Sequence, residues 1–327
     1  MANGANSPPG LSFPRETFAK LTPGPFLRAH LQQPKTIRPS GREPNECRQP
    51  RINTGSLTHS NGSAVVRLGD TSVVCGVRGE ILLASEVPHP PNDEVSEDDF
   101  IEDLGLLVPN VELSTGCSPA HLPGNPPSSL AQSLSWRVHS LLHTSSLIKP
   151  SDLRIQYTEP RSEELGPDEE PPTVTKAYWA LYIDILCISL DGNAFDAAWT
   201  AVMAALQNTT LPKAWWDADQ ESIMCSPLAS EAYTLELNGR PMPISFAVFS
   251  TASPLKQRDE AESWILADPD GFEEGVCREL LTGVVDQGVL LKVEKCGGSR
   301  AGRDDVRKCV ELALGQWQRG VKVGGSG

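Results

Sequence analysis

The residues best placed for chemistry surround one bend, Asp191-Gly192-Asn193. An apolar run over 179–190 ends there, and a pattern of helical period runs from Ala194 to Leu206, closed by Asn208 and Pro212. A buried strand that turns sharply into a packed helix leaves free N–H groups and the positive end of the helix dipole at the bend. Such a place favours an anion, phosphate above all. Other groups invite chemistry less strongly. Ser56, His59 and Asp70 have the types of a nucleophilic triad, but no G-x-S-x-G elbow presents the serine, so their proximity in sequence reads as coincidence. Trp215-Trp216 beside Lys213 could stack a base. A surface loop that packs on the body or on a partner is the plainer reading.

The elements that must hold the bend are drawn from a chain of 327 residues, enough for one large core or two small ones. A formal charge of −14 argues against a chain that coats nucleic acid by itself. Eight cysteines are scattered without C-x-x-C or paired Cys/His spacing, so neither a zinc site nor a disulfide framework is expected. Residues 1–10 lack the form of a signal peptide, and the run 179–190 is too short to span a bilayer and contains Asp184. The expectation is a soluble intracellular protein with no membrane association.

In order, residues 1–13 are expected to be disordered, and 14–33 to form one or two short helices interrupted by Pro23 and Pro25. A basic, Pro-punctuated loop covers 38–50. Strands are expected at 51–59, 63–68 and 71–83, joined by Asn-Gly and Gly-Asp turns. An acidic loop at 88–103, a strand at 106–113, a Pro/Gly/Ser loop at 114–128 and a helix at 129–147 follow. A strand at 153–157 and a second acidic loop at 159–172 lead into the central stretch. Beyond it, 214–227 looks irregular. Strands are expected at 232–237, 244–249 and 263–267, with a polar loop at 251–262, then a hairpin of 278–285 with 289–294 and a helix at 303–318. Meandering strands capped by single helices indicate an α+β fold with mixed sheets, not a doubly wound parallel one. The division expected is a first half over 14–235, a second over 236–320, and a tail over 321–327.

Taken as a set, the short motifs resemble the RNase PH superfamily. They are Gly41-Arg42-Glu43-Pro44, Thr54-Gly55-Ser56, Gly62-Ser63-Ala64, Arg67-Leu68-Gly69-Asp70-Thr71 and the run 74–77. Val108-Pro109-Asn110-Val111, Asp191-Gly192-Asn193, Ala204-Ala205-Leu206, Leu211-Pro212, Asp268-Pro269 and Glu273-Glu274 continue the series. Within that superfamily the chain is similar to the non-catalytic exosome ring subunits. The resemblance implies two β-α-β-α halves packed back to back, like the second domain of ribosomal protein S5. It also implies a heterohexameric ring of RNase PH-like subunits with RNA in its central channel, RNA-binding cap subunits and an associated hydrolytic ribonuclease. It implies no cofactor, and work in rRNA maturation and mRNA turnover in nucleus, nucleolus and cytoplasm.

Catalytic relatives carry Gly-Gly-Thr-Arg at the bend, where the Thr hydroxyl and the helix start hold phosphate and the Arg supports the pocket. Here the sequence reads Gly192-Asn193-Ala194-Phe195, with Phe195 expected to fill core. Relatives also carry a pair of carboxylates, one acting as acid or metal ligand. Asp268 and Glu274 match these positions and are read as surface or loop-ordering groups. The RNA-gripping arginines are replaced: the 114–128 loop has only His121, and Ser140 and His143 stand on the helix, with Arg137 one position off. His121, Arg137 and His143 are therefore the candidate RNA contacts, and no residue is assigned to catalysis, metal or cofactor. Among Arg38, Arg42, Arg48 and Arg51, Arg42 is read as pairing with a carboxylate that pins its loop; for the other three, solvation and contact with RNA or a subunit both stay open. A structural subunit without activity is expected. An active phosphate-dependent 3′–5′ exoribonuclease and an independent RNA-binding module stay open as alternatives.

Overall fold

The computed structural model describes residues 14–87, 97–119, 121–122, 124–160, 171–251, 262–298 and 302–324. The expected disorder of 1–13, most of both acidic loops, the 252–261 segment and the last three residues lie outside them. The chain opens with helices α1 (Arg15–Leu21) and α2 (Pro23–Leu31). Pro23 and Pro25 do not interrupt a helix. The break is at Thr22, and both prolines sit in the first turn of α2, where a missing N–H costs nothing.

Strands β1 (Arg51–Thr54), β2 (Gly62–Leu68) and β3 (Thr71–Leu83) form the expected meander. Ala64, Val66 and Leu68 point into the core, as do Val73, Cys75 and Val77, the period-2 pattern of a sheet with one buried face. A short helix α3 (Glu97–Asp103) then buries Phe100 and Ile101, where the sequence reading had only an acidic loop. Next come β4 (Leu107–Leu113), α4 (Ser129–Thr144), α5 (Pro150–Leu153), β5 (Arg154–Thr158) and the long β6 (Thr173–Ser189). The first sheet runs β1-β2-β3-β6-β4. β6 pairs in parallel with β4 over 181–187 and antiparallel with β5 over 173–178. The sheet is therefore mixed.

The bend at 191–193 delivers the chain into α6 (Ala194–Gln207). Eleven of its fourteen residues are buried, so it faces apolar neighbours on all sides rather than along one stripe. It lies on β2 and β3 and also touches the second sheet, where the Trp199 indole N–H donates to Pro241 O at 2.7 Å.

The segment 214–227, read as irregular, holds a hairpin of β8 (Ala214–Asp217) and β9 (Ser222–Cys225), preceded by the two-residue β7 (Thr210–Leu211). The strand expected at 232–237 shrinks to β10 (Tyr233–Thr234). The second sheet, β12-β11-β13-β14, is wholly antiparallel, built from β11 (Met242–Ser250), β12 (Ser263–Ala267), β13 (Glu279–Asp286) and β14 (Val289–Gly297). Between β12 and β13 sits α7 (Gly271–Val276), unforeseen in the sequence reading, and α8 (Arg303–Gly324) closes the chain. α8 covers one face of this sheet, where Cys309 and Ala313 join Phe246 and Leu281. Leu27 and Leu31 of α2 cover the other, against Phe249 and Leu266. The N-terminal helices thus pack on the second sheet, although they precede the first in sequence. Among the described residues no helix is long and apolar enough to cross a membrane, and no group of three or more His, Cys, Asp or Glu is placed to hold a metal ion.

Candidate functional site

The bend before α6 is where the two sheets meet. Thr71, at the start of β3, fixes its entry: its hydroxyl donates to Gly192 O and accepts from Asp191 N, both at 2.9 Å. Gly192 has φ +70° and Asn193 φ +51°, left-handed conformations that Gly and Asn tolerate best. Glycine is required at 192 for a second reason. A Cβ there would meet the backbone of Pro269, Asp270 and Gly271 at 2.4–2.7 Å. The loop leading into α7 therefore rests directly on the bend.

That loop fills the anion position with the protein's own carboxylates. The Asn193 N–H donates to Glu274 Oε1 at 2.8 Å. The Asn193 side-chain amide donates to Asp268 Oδ1 at 2.7 Å and to Asp196 Oδ2 at 2.9 Å, while its own Oδ1 is buried without a partner among the described residues. The reverse orientation would set an amide oxygen against two carboxylates, so the donors must face inward.

Asp268 is 4 % exposed, so of the two roles expected for it, surface or loop-ordering, it takes the second. It takes the fork of Arg48, Nε to Oδ2 and Nη2 to Oδ1, both at 2.8 Å, together with the Arg48 backbone N–H at 2.7 Å. Arg42 adds a bond to Oδ2 at 3.0 Å. Burial alone would push the Asp268 carboxyl up, but the hydrogen bonds and charge of Arg48 outweigh it and hold the group below the usual carboxylate range. Arg38 is 1 % exposed. It forks onto fully buried Glu273, with Nε to Oε1 at 2.7 Å and Nη2 to Oε2, and donates to Ala267 O and Asp268 O at 2.7 and 3.0 Å. Glu273 in turn forms a reciprocal capping box with Asp270 at the start of α7.

The expected pairing of Arg42 is present, and Arg38, buried, and Arg48, part-buried, join the same lattice; Arg51 is exposed. Three guanidinium groups thus face six carboxyl groups, those of Asp191, Asp196, Asp268, Asp270, Glu273 and Glu274. The balance is anionic, the reverse of what a phosphate ion needs.

From Asn193 the polar chain continues inward. Asp196 accepts from Ser245 N at 2.9 Å and Ser245 Oγ at 2.8 Å, and Ser245 Oγ meets Thr282 Oγ1 at 2.9 Å. Burial pushes the Asp196 carboxyl up to about 6 in spite of these donors. Arg137 of α4 ends the chain, donating to Thr282 Oγ1 at 2.8 Å and to Glu294 Oε2 at 2.6 Å. Its guanidinium lies 3.8 Å from the centroid of Phe195. Phe195 does fill core, 3 % exposed. An arginine stands beside this bend after all, but it comes from another helix and is neutralised by Glu294.

The three candidate RNA contacts have different surroundings. Arg137 is committed to the internal chain just described. His143, in the last turn of α4, packs at a tilt against His139, with centroids 4.3 Å apart. Burial and its neighbour His139 hold it below the usual imidazole range, and Nε2 is buried without a partner among the described residues. His121 lies half-buried in the loop before α4, its N–H donating to Ser118 O at 3.0 Å. Sequence reasoning missed Glu273 as the partner of Arg38, and missed α7 itself. Asp270 three residues before Glu273 is a capping-box signal that could have revealed the helix.

A mixed sheet joined to an antiparallel one, with a strand-to-helix bend at their junction, defines an RNase PH-type protein. The chain belongs to the RNase PH family: residues 46–212 match the 3′ exoribonuclease family, domain 1. It is 34 % identical over 93 % of its length to the Exosome complex component rrp43 of Schizosaccharomyces pombe, 95 % of which is covered. It is 27 % identical over 84 % of its length to the Exosome complex component Rrp42 of Methanothermobacter thermautotrophicus, again with 84 % of that protein covered. It is thus of the Rrp43/Rrp42 exosome-component type. A chain of the Archaeoglobus fulgidus exosome, solved with RNA bound to the active site, shares the fold with a TM-score of 0.64 at 23 % identity, covering 91 % of this chain and 96 % of that one.

Proposed function

We propose that this chain is a structural subunit of an exosome core ring that performs no phosphorolysis of its own and supports 3′–5′ RNA processing by forming part of the RNA path. Its neighbours would be other RNase PH-like subunits, with RNA-binding caps and a hydrolytic ribonuclease bound to the assembly. The observation that carries this reading is the occupied bend. The N–H that would greet phosphate is held by Glu274, and the guanidinium groups that would offset two meeting anions are consumed by Asp268 and Glu273. Ala194 supplies no hydroxyl and Phe195 no charge. Attack of inorganic phosphate on an RNA phosphodiester needs cations and donors to stabilise a crowded anionic transition state, and here Arg38, Arg42 and Arg48 are each paired with carboxylates of the chain.

The test has two arms. The purified chain, incubated with single-stranded RNA and inorganic phosphate, should release no nucleoside diphosphates. Co-expressed with RNase PH-like subunits from the same source, it should enter a stoichiometric ring, read by native mass spectrometry. Phosphate-dependent turnover by the lone chain would overturn the inactive reading, and failure to assemble would overturn the structural one.

A further inference from the structure

The hairpin of β8 and β9 takes no part in the site at the bend. Its strands pair Trp215 with Met224 and Trp216 with Ile223. Because side chains alternate across a strand, the two pairs face opposite ways. Trp216 and Ile223 face the body: Ile223 packs on the main core, and Lys176 Nζ sits 5.5 Å from the Trp216 ring. Trp215 and Met224 face outward, 42 % and 36 % exposed, and Leu228 just beyond the hairpin is 57 % exposed. The tip is held in shape, since Asp217 Oδ1 accepts from Asp219 N at 2.9 Å and Gln220 N at 3.3 Å. A pinned base and a fixed tip present an apolar pair that need not be ordered on contact, a saving in binding entropy.

The charge around this pair selects its partner. From 213 to 240 the chain carries five carboxylates, Asp217, Asp219, Glu221, Glu231 and Glu236, against two cations, Lys213 and Arg240. A strand of RNA stacking on Trp215 would bring its phosphates against these carboxylates, with Lys213 at the hairpin base offsetting only part of them. A protein surface with an apolar pocket rimmed by Lys and Arg would satisfy both features. We infer that the outward face of the 214–225 hairpin, centred on Trp215 and Met224, is a docking knob for a neighbouring exosome subunit with a basic-rimmed apolar pocket. This rests on the proposed function, because it takes the partner from the same assembly.

Two variants test it: Trp215→Ala/Met224→Ala, which removes the knob, and Asp219→Lys/Glu221→Lys, which reverses the tip charge and spares Asp217. Each is combined in turn with every RNase PH-like subunit that binds the wild-type chain. Thermal melting matched to wild type shows that the fold is kept. The first variant should weaken binding to one subunit at least about 10-fold. The second should weaken it and flatten its salt dependence. A single-stranded oligouridylate should leave Trp215 emission, taken as wild type minus Trp215→Phe, unchanged. Variants that bind every subunit as tightly as wild type, or quenching of Trp215 by the oligouridylate, would overturn the inference alone. Failure of the wild-type chain to bind any subunit would overturn the proposed function, and this inference with it.

Discussion

Arg38→Met is the sharpest probe of the lattice at the bend. Arg38 and Glu273 are 235 residues apart in sequence, and both side chains are fully buried. Removing the guanidinium leaves the Glu273 carboxylate in the interior with only its α7 capping contact, the Asp270 N–H at 3.1 Å, and Arg42 at 4.0 Å. It also strips donors from Ala267 O, Asp268 O and Glu46 O. Breaking a buried ion pair from one side costs about 3–5 kcal/mol, because the charge left behind has neither water nor a partner. At about 2–4 °C per kcal/mol for a chain somewhat smaller than this one, the melting midpoint should fall by roughly 6–20 °C. The paired change Arg38→Met/Glu273→Leu removes both charges and should be less damaging than the sum of the two single changes, by about 2 kcal/mol or more. Urea unfolding followed by tryptophan emission gives all four corners of the cycle. Strict additivity, with coupling under about 0.5 kcal/mol, would mean that the two groups do not depend on each other, and the account of the lattice would be wrong.

Gly192→Ala forces a Cβ into the backbone of the 269–271 loop at positive φ and should cost at least about 2 kcal/mol, whereas Gly124→Ala, also at positive φ but with open space around it, should cost only about 1 kcal/mol. Equal costs would show that the loop is free to move. The Asp196 carboxyl should titrate near 6 by carbon NMR. Because its folded value is raised, its contribution to stability is full below the ordinary 3.8 and declines as pH rises through about 6, so Asp196→Asn should flatten the stability profile between those values. Asp268 works in the opposite sense, stabilising above the ordinary range and losing that contribution as acid protonates it. Arg137→Ala should cost about 1–3 kcal/mol through the loss of Glu294, Thr282 and the Phe195 face, with no change in the affinity of the isolated chain for single-stranded RNA. Weaker RNA binding at undiminished stability would instead make it an RNA contact. Ala194→Thr/Phe195→Arg, which rewrites the bend toward the catalytic pattern, should still give no phosphate-dependent turnover, since Glu274 and the 268–271 loop keep their places; nucleoside diphosphate release by this variant would contradict that.

The RNase PH-like fold positions this lattice through pairings that only distant strands can make. Arg48 reaches Asp268 across 220 residues of sequence because β12 ends beside the bend that follows β6. Asp268 itself is held in a left-handed conformation, φ +49°, by the bonds that converge on it. Strain of this kind persists where surrounding contacts over-determine a residue. Here the result is a joint between the two sheets rather than an open cleft.

The sequence by itself determined the local elements. Alternation of apolar residues set β2 and β3, the Asp-Gly-Asn break set the start of α6, and the missing hydroxyl and guanidinium at 194 and 195 were plain from the residues. Those features depend on neighbours within a few positions, where spacing and turn chemistry carry the signal. Tertiary structure alone decided which charges are buried. Arg38 and Arg48 sit in a Pro-rich loop whose sequence leaves solvation and contact both open, and Arg137 on a helix face that reads as open to RNA. Each is drawn in because a carboxylate stands opposite, Glu294 on β14 for Arg137, and Asp268 and Glu273 in the segment between β12 and β13 for Arg48 and Arg38. The interior tolerates a charged group only when a partner of opposite sign and the right geometry is delivered to it. That delivery is set by how two sheets dock, and no stretch of sequence around the arginine contains it.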